Sequence, residues 1–489
     1  MNPSEPLPAN RERAALAAIL LLASVRFLSL GQESFWLDEA KGALGAFSPY
    51  SSWIDELPRH QTPPGHFFLL SVASRFGKSE TILRLPSAAA GVLAVWVLWR
   101  LGRREGAAVG LGAALLLAVS PSHFHFSREA RPYAIWVLAE LVSLGSLLAW
   151  RDRPERSRRG IAAGFLLPLP LLFHYHALWF LLGRIPLAYR VSKGAPTRSR
   201  SSFAWGVVVA LACALPWAVN QALRLPPPNP RAVTAWDDLG LSFVARKLGE
   251  VFGFPYPWEW LAVVVLAPAV HGLARPRIEG GRRTGRSPAF AAAFPPAAIV
   301  IASLVSGRYI AARHFLPLVP LLLWPAARAV ADLPRGYARR IGVGAGGLLT
   351  VFCAELCVRS FFTTDRPPWR EIALYLEERA TSLPSQEPGA VAFHAVGDNV
   401  KVLDFYRESL SLAVPLSSGS ALPESASVAG VLVSGDEDGG AEWRERLSEL
   451  GLKPGRIWTS RRISRIEFYT LPEEASLALR ATEGVTGSR

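Results

Sequence analysis

The chain has 489 residues, half of them hydrophobic and only 19% charged, with sixteen tryptophans, a composition that excludes a single soluble domain. Its formal charge of +14 does not point to nucleic acid, because the arginines cluster in short loops between apolar runs, the distribution that orients a membrane protein. Cys213, Cys353 and Cys357 all lie inside apolar runs and offer neither a disulfide framework nor a metal set of the usual spacing.

Several apolar runs between the N-terminus and about residue 359 approach the ~20 residues that cross a hydrocarbon core. With the basic clusters placed on the cytoplasmic side, Ala14 to Leu30 crosses outward after Arg11 and Arg13, leaving a first external loop over 31–82. Pro63 to Phe76 is too short to cross and opens on two prolines, so it reads as a helix on the outer face. Leu83 to Trp99 returns inward to Arg100, Arg103 and Arg104, and Ala107 to Val119 leads out to a second external loop over 120–131. Pro132 to Trp150 reaches the basic stretch Arg151 to Arg159, and Ile161 to Tyr189 is long enough for a two-span hairpin with His174-Tyr175-His176 at its tip. Phe203 to Val219, Trp258 to Val270, Ala289 to Val305, His314 to Ala327 and Ile341 to Val358 bring the expected count to about eleven transmembrane helices.

An odd count leaves the tail on the extracytoplasmic side. The expected fold is therefore a multi-span α-helical membrane domain over 1–359 followed by a small extracytoplasmic α/β domain over 360–489. Within the tail, Trp369 to Arg379 and Ala441 to Leu450 have helical patterning, whereas Gly389 to His394, Ala429 to Ser434 and Ile463 to Tyr469 read as short strands.

Polar chemistry concentrates in the external loops. Asp38 and Glu39 are adjacent in the first, together with His60 and His66; the second carries His123, His125, Arg128, Glu129 and Arg131, followed by Tyr133; Arg308, Tyr309, Arg313 and His314 form a late group. The positive-inside tendency should deplete outer arginines, and a guanidinium offers the paired donors that a phosphate accepts. Acids beside phosphate-binding arginines suit transfer of a phosphate-linked group, with Asp38 as the preferred base and Glu39 as its orienting partner or a substrate or metal contact. The bland alternative, that Asp38 pairs with Lys41 or an arginine to fix the loop, stays open, as does neutralisation of Arg128 and Arg131 by Glu129. His123 and His125 are the weak candidates for a divalent metal, which is an option rather than a requirement. His174 and His176 read as polar lining or packing.

FWLDEA at Phe35 to Ala40, TPPGHFFLL at Thr62 to Leu70 and SETILRLPSAAAGVL at Ser79 to Leu93 are followed in order by AVSPSHFHFSREARPYA at Ala118 to Ala134, FHYHA at Phe173 to Ala177 and SGRYIAARHFLPLVP at Ser306 to Pro320. Over about residues 14 to 359 this set resembles the bacterial branch of the GT-C membrane glycosyltransferases, related to protein O-mannosyltransferases and lipid A aminoarabinose transferases. The resemblance implies a polyprenyl-phosphate sugar as donor, a lipid, glycan or protein acceptor, and inverting transfer on the outer side of the bacterial inner membrane. By the same resemblance Asp38 matches the first-loop acid, Arg128, Glu129 and Arg131 the second-loop motif, and Arg308, Tyr309 and Arg313 the region near the donor phosphate. Gln61-Thr62 stands before Pro63 where aminoarabinose transferases usually carry lysine. The competing class is a flippase for a phosphorylated lipid, although no internal repeat of the transporter kind is evident.

Overall fold

A computed structural model of the chain describes residues 8–47, 63–223, 241–274, 277–279, 282–284, 294–301, 311–334, 336–362, 366–382, 393–397, 402–412, 416–418, 428–434, 440–459 and 465–472. The chain divides into two compact units, one formed by 1–28, 49–73 and 84–360, the other by 29–48, 74–83 and 361–489. Two segments of the first loop, including the Asp38-Glu39 pair, thus belong with the tail.

The first unit is helical. Among the described residues three helices are long and apolar enough to cross a membrane, Glu80–Glu105 with its short 3₁₀ end, Tyr133–Asp152 and Tyr337–Phe362. A fourth crossing can be made by Ala107–Ala118 with Pro121–Ser127, which bend by 61° at their junction. The bend has a local cause: Pro121 starts a new helix at a position where its ring and missing N–H prevent the previous one from continuing. The second loop is therefore partly helical. Pro64–Ser74 likewise starts on a proline and has 11 residues, about half the length needed to span.

Ser157–Leu166 and Ala177–Lys193 form two arms joined through the 3₁₀ turn Leu169–Leu172, with His174 to His176 near the turn. The first arm packs on Thr197–Leu223 through small residues. A Cβ on Gly164 would sit 2.0 Å from the Phe203 carbonyl oxygen, and one on Gly206 2.3 Å from that of Ile161. The backbones approach this closely only because neither glycine carries a side chain, the packing mode of helices in apolar surroundings. The basic segment after residue 274 includes a short antiparallel hairpin, Arg277–Glu279 with Arg282–Thr284.

The second unit is an α/β layer. Its five strands lie in the order Leu416–Ser418, Phe393–Gly397, Gly430–Ser434, Ile466–Thr470, Arg456–Trp458; the first three are parallel and the last two antiparallel to their neighbours. Gly430–Ser434 is buried along its whole length, which is why it reads as an uninterrupted apolar run. Val431 and Val433, two apart and so on one face of the strand, join Trp443 and Leu447 of helix Gly440–Glu449 in one core. Helix Trp369–Thr381 sets Tyr375 edge-on against Trp458 and Phe468 at 5.4 Å. Of the strand expected at Gly389 to His394, positions 393 and 394 belong to Phe393–Gly397, where pairing with Gly430–Ser434 sets the register; 389–392 lie outside the described residues.

The first-loop helix Leu37–Phe47 packs on Val402–Ser409 of the tail. Phe405 lies 4.7 Å from Phe35 and 6.0 Å from Phe47, ring centre to ring centre.

Candidate active site

Asp38 and Glu39 occupy the first turn of helix Leu37–Phe47, where the unpaired backbone N–H groups and the helix dipole favour negative charge. Successive helical positions are turned about 100° apart, so the two carboxylates have different surroundings. Glu39 is fully buried and ion-paired with Arg366, whose Nε also lies 3.5 Å from Glu33. Asp38 remains partly exposed. Among the described residues Lys41 forms no ion pair, so the local Asp38–Lys41 link does not form.

A second buried network braces the same loop. Arg370 pairs with Glu80 and donates to the Gly31 carbonyl at 3.2 Å, and its backbone N–H donates to the Ser34 hydroxyl at 3.2 Å. The Tyr406 hydroxyl donates to Glu80 at 2.8 Å and accepts the Phe35 N–H at 2.8 Å. Burial next to the Glu80 carboxylate pushes the Tyr406 phenol well above its usual range, so it stays protonated and keeps donating. A Cβ on Gly31 would meet the Thr81 hydroxyl at 2.5 Å, so a larger residue there would have to displace that side chain.

The first unit gathers the basic and histidine candidates. His66 is buried and its Nε2–H donates to the Ala130 carbonyl at 3.1 Å, while Ser87 donates to the Arg131 carbonyl at 2.9 Å. These bonds hold the 128–131 backbone from two sides. Arg128 lies 5.6 Å over the Phe124 ring and donates to the Leu28 carbonyl at 3.3 Å; Arg131 lies 5.7 Å from the Tyr133 ring. Glu129 is buried, with a carboxylate oxygen 3.3 Å from His125 Nε2.

Tyr133 leads to a three-histidine cluster. Its ring is 5.7 Å from His174, which is 5.3 Å from His176 and 5.4 Å from His314; His176 and His314 are 4.6 Å apart. His174 stacks on Trp136 at 4.2 Å, and the Trp136 N–H donates at 2.8 Å to Glu140, itself paired with the buried Arg184. Burial, then the neighbouring histidines and Arg131 and Arg313, hold His174 well below the usual imidazole range; burial takes His176 to about 4. His66 falls to about 3 through burial and then Arg131. The rings are therefore neutral at physiological pH. His174 Nδ1 accepts the His176 N–H and His314 Nδ1 accepts the Ala311 N–H, both at 3.2 Å. This leaves each Nε2 as an N–H donor, suited to an anion rather than a cation.

His123 and His125 diverge. Guanidinium Nη1 of the buried Arg26 donates to His123 Nδ1 at 3.3 Å and to Ser127 at 3.2 Å, whereas His125 faces Glu129. A fixed cation at His123 and the separation of the two rings argue against a shared divalent ion there, and no group of three or more His, Cys, Asp or Glu among the described residues is arranged to hold one. His60, Arg308 and Tyr309 lie outside the described residues.

Sequence reasoning missed Arg26, Arg366, Arg370, Glu80 and the grouping of His174 and His176 with His314. Arg26 carried a signal, an arginine within an apolar run, where charge is expensive unless paired. The partners 327 residues apart, Glu39 and Arg366, carried none.

The family model for dolichyl-phosphate-mannose-protein mannosyltransferase matches residues 61–219. No curated protein sequence matches the chain. Among solved structures, ArnT from Cupriavidus metallidurans in the apo state is similar at a TM-score of 0.59 and 15% identity, over 96% of this chain and 99% of ArnT. The same ArnT bound to undecaprenyl phosphate gives 0.59 and 16%, over 94% and 98% of the two chains. The Archaeoglobus fulgidus oligosaccharyltransferase, in complex with Zn and sulfate, gives 0.51 and 12%, over 96% and 76%. The chain thus shares the fold of ArnT and of the oligosaccharyltransferase over nearly its whole length at low sequence identity, and resembles the mannosyltransferase family within residues 61–219.

Proposed function

We propose that the protein is an inverting glycosyltransferase that moves a monosaccharide from a polyprenyl-phosphate carrier to a hydroxyl-bearing lipid, glycan or protein on the outer side of the bacterial inner membrane. About eleven transmembrane helices form its membrane domain over 1–359, and residues 360–489 form an extracytoplasmic domain. The observation that supports this reading most is the shared fold with a structure that holds undecaprenyl phosphate. It is supported independently by the cationic and N–H-donating group of Arg131, Arg313, His174 and His314.

In this reading Asp38 takes the proton of the acceptor hydroxyl, whose oxygen bonds to the anomeric carbon as the bond from that carbon to the phosphate oxygen breaks. The electron pair leaves with the lipid phosphate, which gains a unit of negative charge. Arg128, Arg131 and Arg313, with Arg308 and Tyr309, stabilise that charge where it develops; Tyr133, His66, His60 and His314 line the donor site. Glu39, held by Arg366, orients the loop that carries Asp38 instead of reacting. Glu129 keeps the arginine-rich turn in shape.

Purified protein in detergent, supplied with a polyprenyl-phosphate sugar and a mixture of glycolipid and glycan acceptors, tests the proposal by mass spectrometry. Transfer without a second membrane compartment is expected. Lipid translocation in proteoliposomes with no transfer in detergent would replace the enzyme by a flippase.

A further inference from the structure

A polar cavity lies at the other end of the spanning helices. It measures about 810 Å³ and is lined by Arg100, Arg103, Arg104, Arg151 and Arg159 together with Trp99. Arg100 ends helix Glu80–Gly102 and Arg151 ends helix Tyr133–Asp152. The latter has 20 residues, so at 1.5 Å per residue its length of about 30 Å separates this cavity from Tyr133 and the histidine cluster by one hydrocarbon core. The cavity is therefore distinct from the candidate active site.

Its charges do not cancel. Glu12 takes Arg103 at 2.5 Å, Asp152 takes Arg104 and lies 3.6 Å from Arg151, and Glu105 is shared with Arg328 at 3.5 Å. Arg159 is satisfied by the neutral Ala149 carbonyl at 2.7 Å, and Arg100 lies 5.4 Å over the Trp96 ring and faces no carboxylate among the described residues. Two guanidinium charges are left uncompensated. The buried indole N–H of Trp99 also has no acceptor among the described residues, a desolvation cost that a ligand oxygen would remove.

The surface leading to the cavity is apolar. Leu85, Ala89, Leu93 and Trp96 are exposed along helix Glu80–Gly102 at spacings of three and four residues and end at Arg100. Such a spacing is one continuous stripe on a helix. We propose that the stripe and the cavity together bind an anionic phospholipid, with acyl chain along the stripe and headgroup phosphate between Arg100, Arg159 and the Trp99 N–H. Basic cavities between spanning helices at the membrane boundary are suited to such headgroups, and the stripe distinguishes a lipid from a soluble phosphate, which would have no use for it.

The test is native mass spectrometry of the full chain, released from detergent after incubation with phosphatidylglycerol, phosphatidylethanolamine or inorganic phosphate. Wild type should retain phosphatidylglycerol at least tenfold better than phosphatidylethanolamine, the Arg100→Ala/Arg159→Ala double variant should lose that preference, and Arg100→Lys should keep most of it. Trp99→Phe, which removes only the N–H, should weaken retention several-fold and covers the case in which the double variant does not fold. Equal retention of the two lipids, a preference unchanged in the double variant and Trp99→Phe, or displacement of phosphatidylglycerol by millimolar inorganic phosphate would each overturn the proposal, the last by assigning the cavity to a soluble anion.

Discussion

Arg366 is the residue whose removal most sharply tests how the first-loop acids are held. Its side chain is 5% exposed and that of Glu39 is 0% exposed, whereas the surface pair Lys78–Glu408 is 41% and 44% exposed. Removing one member of a buried pair leaves an unpaired charge in a low-dielectric site, at a cost of about 3–5 kcal/mol. An exposed pair is worth about 0.2–1 kcal/mol. Arg366→Met and Glu39→Met should each destabilise the protein strongly, and the double variant should recover much of the loss, since two apolar side chains of similar volume replace two desolvated charges. Lys78→Ala should lie within about 0.5 kcal/mol of wild type. Thermal unfolding in detergent, read as a double-mutant cycle, measures the coupling directly. Transfer assays on the same variants should follow the cycle, because a loosened loop no longer presents Asp38. Additive single losses, or an Arg366→Met effect no larger than that of Lys78→Ala, would refute the pair as the element that fixes this loop.

Three further outcomes are expected. Arg131→Ala should raise the donor KM by tenfold or more with expression unchanged, since a charged hydrogen-bond donor to phosphate is worth roughly 1.5–3 kcal/mol; an unchanged donor response in steady-state transfer would count against phosphate binding there. The neutral histidines make stability depend on pH: His66 and His176 are lowered to about 3 and about 4, so the unfolded chain binds more protons below about pH 6.5 and stability falls as pH drops from there toward 4, by up to about 1.4 kcal/mol per pH unit for each such group. Melting temperatures in detergent from pH 7.5 to 4.5 would record this, and a flat profile would mean the rings are not buried as neutral groups. Gly164→Leu should prevent assembly of the helix pair it joins, because even a Cβ falls 2.0 Å from the Phe203 oxygen; normal expression and unchanged melting would contradict that packing.

What the sequence revealed, and what it hid, follows the range of the interactions. The helix after Pro132, the break at Pro121 and the tail strand at Gly430–Ser434 were legible because prolines and apolar periodicity act within a few residues. The ordered motifs from Phe35 to Pro320 pointed to a fold that is matched along nearly the full chain. The assembly of the acid loop was not legible. Glu33, Glu39 and Glu80 find Arg366 and Arg370 from the far end of the chain, and nothing in the local pattern of either segment marks the other as its partner. His174 and His176 looked like packing for the same reason: His314, which completes their cluster, comes 138 residues after His176. The stacking of His174 on Trp136 satisfies the packing reading as well, so geometry adds to that reading without displacing it.

The claim on which the proposed chemistry rests is that the Asp38 carboxylate accepts the acceptor's proton. Purified Asp38→Asn protein, matched to wild type in yield and melting temperature, should bind the polyprenyl-phosphate sugar and transfer none of it. Turnover by that variant at a rate within a few-fold of wild type would show that the proton goes elsewhere.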